Sequence, residues 1–380
     1  MSDHQEEGRR GPLAGLRVIE LGGIGPGPMA AMLLADLGAS VLRIERTEAV
    51  DLGVKRELRY NLLLRNRIPV ALDLKDPAAR GQVLDFVERA DALIEGFRPG
   101  VAERLGLGPE DCLARNPRLV YGRITGWGQD GPLATVAGHD INYISITGVL
   151  DAIGRREQPP SIPLALVGDF AGGALYLAVG VLAALAEARD SGRGQVVDAA
   201  IVDGVAHMAT AFFGLVAAGS WNPQRGTNIL DSGAPFYDVY QCLDGAWLSI
   251  GPIEARFHRK LLGALGLSSK EIEALGEHTD PATWPALRAT LASRFRQRPR
   301  SEWCEALAQE DVCCAPVLSF RDAPAHPHLR ARGTFVEIDG VVQPAPAPRF
   351  SRSPTGRPAA PRPATPDTLA EALRAWNMAG

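Results

Sequence analysis

Two short segments carry side chains that could move a proton. In the run Gly138-His139-Asp140-Ile141-Asn142-Tyr143 a histidine and an aspartate are neighbours, and Asp169 follows a glycine further along the chain. Neighbouring residues of a helix point in different directions, so one of the pair can meet a substrate while the other holds a second group. A histidine and a carboxylate in this arrangement are typical of general acid–base catalysis, although each residue alone is also common in a structural role.

Asp169 precedes a segment, 170–186, that is apolar and small almost throughout. The pattern predicts a helix with Asp169 at its N-cap, beside unpaired backbone N–H groups and the positive end of the helix dipole. At about 17 residues the segment is at the short limit for crossing a bilayer, and Asp169 and Glu187 bracket it. We therefore expect a buried core helix.

Basic residues follow three predicted strands. Arg46 comes after the strand at 40–45, Lys75 after the strand at 70–74, and Arg98 after the strand that begins at Ala92, with Arg104 one turn into the next helix. The carboxyl ends of parallel strands form one crevice, and arginine and lysine are the side chains that bind phosphate. Each residue alone could be an ordinary surface charge, but together they predict a phosphate-binding site.

The elements that must position these residues alternate between strand and helix. They are a strand at 17–21, a glycine-rich turn at 22–28, a helix at 29–37, strands at 40–45 and 70–74, a helix from Pro77 to Ala90, and strands at 92–94, 118–125 and 195–202. This order predicts a large Rossmann-like α/β domain with a parallel sheet and helices on both faces.

The first turn also permits a nicotinamide-binding interpretation. Gly25-x-Gly27-x-x-Ala30 fits the dinucleotide pattern, and Glu45 stands where the ribose-binding acid belongs. Pro26 and Pro28, however, remove two backbone N–H groups from the loop that would have to bind a pyrophosphate. The alternative is a tight strand-to-helix turn with Pro28 at the first helical position.

The pattern changes near Phe236, where two short strands flank Asp244-Gly245, a strong hairpin signal. Helical periodicity at 254–265 and 283–308 and a strand at 312–320 follow. We predict a large domain at 1–235, a smaller α+β domain at 236–322, and a C-terminal strap at 323–380 that returns to the large domain. The strap is rich in proline between 343 and 366 and ends in a short amphipathic helix at 369–376.

Composition excludes several classes of protein. The chain has 40 basic and 44 acidic residues and a net charge of -4, so no global field favours nucleic acid. Its five cysteines lack metal-ligand or redox spacing, and we expect reduced core residues and no metal site. The first eleven residues are polar and charged, which predicts no targeting peptide and a cytoplasmic protein without a membrane partner.

Seven ordered motifs resemble the class III coenzyme A transferase superfamily and, within it, the α-methylacyl-CoA racemases. The matching blocks are 16–39, Leu64-Arg65-Asn66-Arg67, Leu93 to Gly100, Gly126-Trp127-Gly128, Gly138 to Tyr143, Gly168 to Gly173, and Gly233 to Tyr237. They cover nearly the whole chain. The resemblance implies an enzyme that interconverts (2R)- and (2S)-2-methylacyl-CoA thioesters through an enolate, with no cofactor, because coenzyme A is part of the substrate.

The resemblance also implies site residues and an assembly. His139 and Asp169 would be the two bases on opposite faces of the substrate α-carbon, and Glu254 would support the histidine. The substrate and coenzyme A would contact Arg46, Leu72, Asp73, Leu74, Lys75, Gly96, Phe97, Arg98, Arg104, Gly138 and Tyr143. The protein would be an intertwined homodimer whose active sites lie between the large domain of one protomer and the small domain of its partner.

Asp140 keeps an alternative function open, and Ala165 departs from the pattern of the racemases. Transferases of the superfamily use the aspartate that matches Asp140 as a nucleophile that carries coenzyme A between carboxylic acids, and Asp140 is present. The preceding His139 favours the racemase. The racemases also carry asparagine four residues before the catalytic aspartate, where this chain has Ala165, which puts the substrate or the rate in question rather than the class.

Overall fold

A six-stranded parallel sheet carries the candidate residues. The structure is a computed structural model and describes residues 10–48 and 53–378. The strands of the large sheet are β1 (Arg17–Leu21), β2 (Ser40–Glu45), β3 (Arg67–Ala71), β4 (Ala92–Glu95), β5 (Val120–Thr125) and β6 (Val196–Ala200), in the order β3-β2-β1-β4-β5-β6. All five neighbouring pairs are parallel. The predicted α/β fold class is confirmed.

Two further sheets and the helices complete the chain. A three-stranded antiparallel sheet has the order β7 (Asp238–Gln241), β8 (Trp247–Ile250), β9 (Cys314–Pro316), and β10 (Phe335–Ile338) pairs with β11 (Val341–Pro344). The helices are α1 (Pro26–Asp36), α2 (Pro77–Val87), α3 (Val101–Arg104), α4 (Pro109–Arg115), α5 (Asp140–Ser145), α6 (Val149–Ala152), α7 (Tyr176–Ser191), α8 (Ile201–Met208), α9 (Thr210–Ala217), α10 (Ala255–Ala264), α11 (Ser269–Ala274), α12 (Trp284–Phe295), α13 (Arg300–Leu307), α14 (Pro327–Ala331) and α15 (Pro366–Ala375). A π-helical segment, Leu166–Leu175, precedes α7.

The chain forms two compact units. The first comprises the described parts of Met1–Thr147, Pro163–Ala209 and Ala331–Gly380, and the second comprises Gly148–Ile162 and Thr210–Arg330. The large sheet and α15 belong to the first unit, whereas the β7-β8-β9 sheet and α9 to α13 belong to the second. The division into domains at 1–235, 236–322 and 323–380 stays a prediction.

Apolar strands explain the core of the first unit. Strands β1 and β2 are almost wholly buried, as expected when helices cover both faces of a parallel sheet. The same cluster of buried residues includes Phe86 of α2 and Trp376, which follows α15. The two rings meet edge to face with centroids 5.6 Å apart, so the last described helix completes the core built around the first strands.

Several predicted elements lie elsewhere. Helix α1 begins at Pro26, with Gly25 as its N-cap at φ 69°, so the placement of Pro28 at the first helical position is wrong. Strand β3 ends at Ala71 instead of residue 74. The helix expected at 283–308 is two helices, α12 and α13, with Pro299 as the N-cap of the second. The hairpin around Asp244-Gly245 is confirmed.

The apolar helix is covered on one side only. Within the described residues, Leu166–Ser191 is long and apolar enough to span a membrane by length and composition, with a mean hydropathy of 1.7 and 39% of its most apolar window buried. Leu177 and Val181 pack against Gly122 of β5, where a Cβ atom would lie 3.0 Å from each side chain. Leu175 and Val179 remain exposed. The expectation of a buried core helix therefore holds for one face of this helix and not for the other.

The cysteines are free, and Cys112 and Cys242 are buried as expected. Cys313 is exposed, so its assignment to the core is wrong. Among residues 10–48 and 53–378, no group of three or more histidine, cysteine, aspartate or glutamate side chains is placed to hold a metal ion.

Candidate active site

Helix α5 begins at the first pair of candidate residues. His139 is the N-cap, with extended backbone at φ -133° and ψ 173°, and Asp140 is the first helical residue. The His139 N–H donates to Oδ1 of Asn142 at 3.0 Å, and the Asn142 N–H donates to the His139 carbonyl at 2.8 Å. This reciprocal cap fixes the backbone of His139 while leaving its side chain exposed.

Asp140 points inward and joins the two candidate segments. Its side chain is buried, and its Oδ1 accepts the backbone N–H of Asp169 at 2.7 Å. The structure therefore brings His139, Asp140 and Asp169 together, although 29 residues separate the two aspartates.

Asp169 lies inside the π-helical segment rather than at the N-cap of an α-helix. The N-cap of the segment is Ala165, and Asp169 falls in its first turn. The Phe170 N–H donates to the Ala165 carbonyl at 3.2 Å, five residues back. The N-cap prediction for Asp169 is wrong because the helix starts earlier and in a wider form, which is often found at functional sites.

The carboxyl group of Asp169 is hard to ionise. Burial is the main reason, and the negative charge of Asp140 adds to it, while His139 acts in the opposite direction. Together they raise the pKa of Asp169 to about 6. An acid with this pKa can both take and give a proton near neutral pH, as a general acid–base group must.

The glycine-rich turn abuts Asp169. A Cβ atom at position 25 would lie 3.0 Å from Oδ2 of Asp169, so glycine leaves room for the carboxylate. Gly25 also has a positive φ that other residues rarely adopt. The turn therefore forms a wall of the site, a role that the dinucleotide interpretation of the sequence did not anticipate.

A buried ion network holds that turn. Glu20, in β1, contacts Arg43 and Arg67, and all three side chains are buried. Arg43 donates to the Gly23 carbonyl at 3.1 Å, and Arg67 donates to the Pro28 carbonyl at 2.5 Å. Sequence reasoning missed this network, although Glu20 and Arg43, charged side chains within otherwise apolar predicted strands, were a signal that could have identified part of it.

Aromatic packing shapes the entrance to α5. The ring of Tyr143 meets Trp127 edge to face with centroids 4.7 Å apart, and its hydroxyl donates to the Gly138 carbonyl. A Cβ atom at Gly138 would lie 2.7 Å from the Tyr143 ring. Burial, followed by the charge of Asp169, raises the pKa of Tyr143. Tyr143 thus lies near the acid and packs against Gly138, and the assignment of both residues to substrate binding stays a prediction.

The predicted coenzyme A residues follow the carboxyl ends of three strands. Arg46 follows β2, the segment Leu72 to Lys75 follows β3, and Gly96 to Arg98 follows β4. Arg46, Lys75 and Arg98 are exposed, as is Arg104 at the end of α3. The edge of the sheet therefore presents exposed cationic side chains of the kind that bind phosphate.

A buried acid shapes the β4 end of this edge. The Phe97 N–H donates to Oε2 of Glu95 at 2.7 Å, and Arg123 donates to Oε1 of Glu95 at 2.9 Å. Glu95 is buried, so the pair fixes the turn that leads to Arg98.

Glu254 belongs to the second unit. It is the exposed N-cap of α10 and makes no side-chain cap bond. Its carbonyl accepts the His258 N–H at 3.0 Å, and the neighbouring Ile253 carbonyl contacts Nε2 of His278 at 2.9 Å. Support of His139 by Glu254 stays a prediction.

The fold and this cluster define a class of protein. It is an α/β protein whose sheet carries, at its carboxyl edge, exposed basic residues and a histidine beside two buried or partly buried carboxylates. Such an edge is suited to a phosphorylated ligand that undergoes proton transfer.

Comparison with known proteins narrows this class to one family. The CoA-transferase family III profile matches residues 13–368. The chain is 42% identical to alpha-methylacyl-CoA racemase of Mus musculus over 96% of this chain and 93% of that protein. It is 40% identical to the Homo sapiens protein of the same name over 90% of this chain and 87% of that protein.

A solved structure agrees with the sequence comparison. A CAIB/BAIF family protein from Brucella suis superposes with a TM-score of 0.83 at 27% identity, covering 97% of this chain and 99% of that one. The chain belongs to CoA-transferase family III. The resemblance inferred from the seven motifs is confirmed.

Proposed function

We propose that this protein interconverts (2R)- and (2S)-2-methylacyl-CoA thioesters by removing and returning the proton at C2. The observation that carries the proposal is the position of Asp169, an acid with its pKa raised to about 6, close to the exposed His139. The names of the mouse and human relatives support the same reaction.

The chemistry requires two bases and a place for negative charge. A thioester delocalises the charge of a C2 carbanion onto its carbonyl oxygen, which forms an enolate. In one direction Asp169 takes the proton and His139 returns one to the opposite face of the planar carbon, and in the other direction the roles exchange. General acid–base groups typically contribute 10²–10⁴-fold each, and the rest comes from orientation and enolate stabilisation.

The enolate oxygen needs hydrogen-bond donors that stabilise its negative charge. An N-cap position for Asp169 would have offered free N–H groups at the helix start, but the Asp169 N–H is taken by Asp140 and the Phe170 N–H by Ala165. The first turn of α5, directly after His139, is the alternative. Its Asn142 and Tyr143 N–H groups are taken by the His139 carbonyl, so the Asp140 and Ile141 N–H groups would be the donors.

No cofactor is needed in this scheme, because the thioester itself accepts the charge. The competing nicotinamide interpretation is weakened by the contact between Gly25 and Asp169, which gives the glycine turn a task in the proton-transfer site. A fluorescence titration with NADH tests it, and saturable binding would revive it.

We also propose a homodimer. Helix α9 of the second unit has no buried residue, and it exposes four large apolar side chains, Phe212, Phe213, Leu215 and Val216. An apolar helix of this kind is expected to be covered in an assembly. Light scattering should give twice the chain mass of 40.5 kDa. Phe213→Ser should shift that mass toward the monomer, whereas Phe320→Ser, at the most exposed large apolar residue outside α9, should not.

The racemase proposal is tested by hydrogen exchange. The purified protein is incubated with (2R)-2-methylacyl-CoA in D₂O, and C2 is followed by NMR. Deuterium should enter C2 as the 2S epimer forms, and His139→Ala should slow both by about 100-fold or more. His328→Ala, at an exposed histidine of the second unit, is the matched control and should react at the normal rate. Absence of exchange in the unmodified protein would refute the proposal.

Transfer of coenzyme A between carboxylic acids is the second candidate, because Asp140 is present. A nucleophilic carboxylate must reach the thioester carbon, whereas Asp140 is 8% exposed and one of its oxygens holds the Asp169 N–H. Hydroxylamine trapping during turnover with an added carboxylic acid tests it. A trapped adduct on Asp140, with coenzyme A moving to the added acid, would favour transfer.

A further inference from the structure

Asp140 occupies a costly position and has no task in the two-base reaction. Its side chain is 8% exposed, and Oδ2 is buried without a hydrogen-bond partner among the described residues. A buried carboxylate oxygen without a hydrogen-bond partner is destabilising, so we look for a role of Asp140 other than stability.

The contact with Asp169 is specific. Oδ1 of Asp140 accepts the Asp169 N–H at 2.7 Å, and this bond spans from α5 to the π-helical segment. Position 168 is fitted to it, since a Cβ atom on Gly168 would collide with Oδ1 and would lie 2.8 Å from Cγ of Asp140. The glycine of Gly168-Asp169-Phe170 is therefore required by the carboxylate of Asp140.

Asp140 is also the negative neighbour of Asp169. His139 favours the charged form of Asp169 and Asp140 opposes it. The charge of Asp169 in turn helps to raise the pKa of Tyr143, on the same helix as Asp140. The glycine turn contributes Gly25, which has no charge. Helix α8 also packs against the π-helical segment and carries Asp203 and His207, but neither is among the groups that shift the pKa of Asp169. Burial is the larger effect, and Asp140 adds to it in the same direction.

We propose that Asp140 is a positioning residue for the proton transfer: its buried carboxylate fixes the backbone of Asp169 and places a negative charge beside the carboxyl that exchanges the proton. The inference rests on the proposed racemase function. The C2 proton passes to Asp169 or from it, the opposite proton passes from His139 or to it, and Asp140 exchanges none.

Two variants separate position from charge. Asp140→Asn keeps an oxygen that accepts the Asp169 N–H and removes the charge, whereas Asp140→Ala removes both. In the direction in which Asp169 takes the proton, Asp140→Asn should stay within about 10-fold of the normal kcat, with the half-point of the acid limb lower by about one pH unit. Asp140→Ala should lose about 10–100-fold in kcat with little change in KM.

The contrary results are clear. An unchanged pH profile in Asp140→Asn, or full activity in Asp140→Ala, would overturn the proposal. Complete loss of exchange in a folded Asp140→Asn protein would overturn it as well, because Asp140 would then take part in the chemistry itself.

A stability measurement tests Asp140 without any substrate. Asp169→Asn is made in the natural chain and in the Asp140→Asn background, and the change in Tm at pH 7.5 is compared. The gain from removing the Asp169 charge should be smaller once the Asp140 charge is gone. Equal gains would refute the electrostatic role, whereas a natural protein that fails to exchange deuterium would refute only the proposed function.

Discussion

Replacing Asp169 with asparagine should stabilise the protein while abolishing the proposed reaction. Asparagine has nearly the same shape, but it carries no charge that burial and Asp140 would oppose. Catalytic groups held in environments that disfavour their charged form typically reduce stability, and the structure allows the size of that cost to be worked out.

The magnitude follows from the pKa of Asp169, which rises from 3.8 to about 6 in the folded protein. A difference of about 2 pH units corresponds to about 3 kcal/mol. Because part of the Asp169 side chain is exposed, solvent screening reduces this to about 1–2 kcal/mol. For a unit of this size about 2 °C of Tm accompanies each kcal/mol, so a gain of about 2–4 °C is expected.

The gain in stability from Asp169→Asn must become smaller as the pH is lowered. Above pH 6 the carboxyl is ionised in both the folded and the unfolded chain, so the folded protein bears the full cost. Between about 4 and 6 the unfolded chain is ionised and the folded chain is protonated, so the cost shrinks as the pH falls. Below both pKa values it vanishes.

Thermal unfolding of Asp169→Asn and the natural protein at pH 7.5 and pH 5 tests this reasoning. The difference in Tm should be larger at pH 7.5. Asp190→Asn, at an exposed carboxylate near the end of α7, is the matched control. It should change the free energy of unfolding by no more than about 0.5 kcal/mol, so its Tm should stay close to that of the natural protein. Equal differences at both pH values, or destabilisation at pH 7.5, would show that the environment of Asp169 does not oppose its charge.

Three other substitutions test features of the fold. Trp376→Ala should cost about 3–5 kcal/mol in urea unfolding because the ring is fully buried against Phe86, and a loss below about 1 kcal/mol would contradict that packing. Glu20→Gln leaves two buried arginines without their shared carboxylate and should cost about 3 kcal/mol or more, measured in the same way. Gly204→Ala places a Cβ atom on a backbone carbonyl of the π-helical segment, so it should slow deuterium exchange and lower Tm. Gly81→Ala, inside α2 where a Cβ atom has free space, should leave both unchanged or raise Tm slightly.

The large sheet was predictable from the sequence because its strands are short, apolar and separated by helices. Strands β1 and β2 lie at the expected residues, since nearly continuous apolar runs bounded by turns have few other solutions. Strand β3 was placed too late because Pro69, within it, discourages a strand assignment, although the parallel pairing of β3 with β2 includes that residue.

The candidate site was predictable only in its residue types. The chain positions of His139 and Asp169 were evident, but their relation through Asp140 depends on a contact across 29 residues that no local pattern records. The π-helical form of 166–175 was equally hidden, because small apolar residues suit a π-helix and an α-helix alike. The segment also approaches α8 backbone to backbone at Gly172 and Gly204, a tertiary contact that no local pattern records.

The charged residues within the strands show a second limit. Glu20 in β1 and Arg43 in β2 interrupt an apolar pattern. No local sequence pattern indicates that these two side chains and Arg67 lie in contact. Their partners come from neighbouring strands of the sheet, and a pairing of this kind becomes visible only once strand order is known.

Helix α15 completes the core of the first unit long after the first strands have been synthesised. Ala372 and Trp376 fill the same core as Phe86 and the first strands, yet a ribosome adding 5–20 residues per second produces them about 15–60 seconds after β3. Throughout that interval the nascent sheet presents an open apolar face in the crowded cell. A stop codon shortly before Pro366 is therefore expected to leave that face uncovered and to yield an aggregation-prone chain rather than a shorter enzyme.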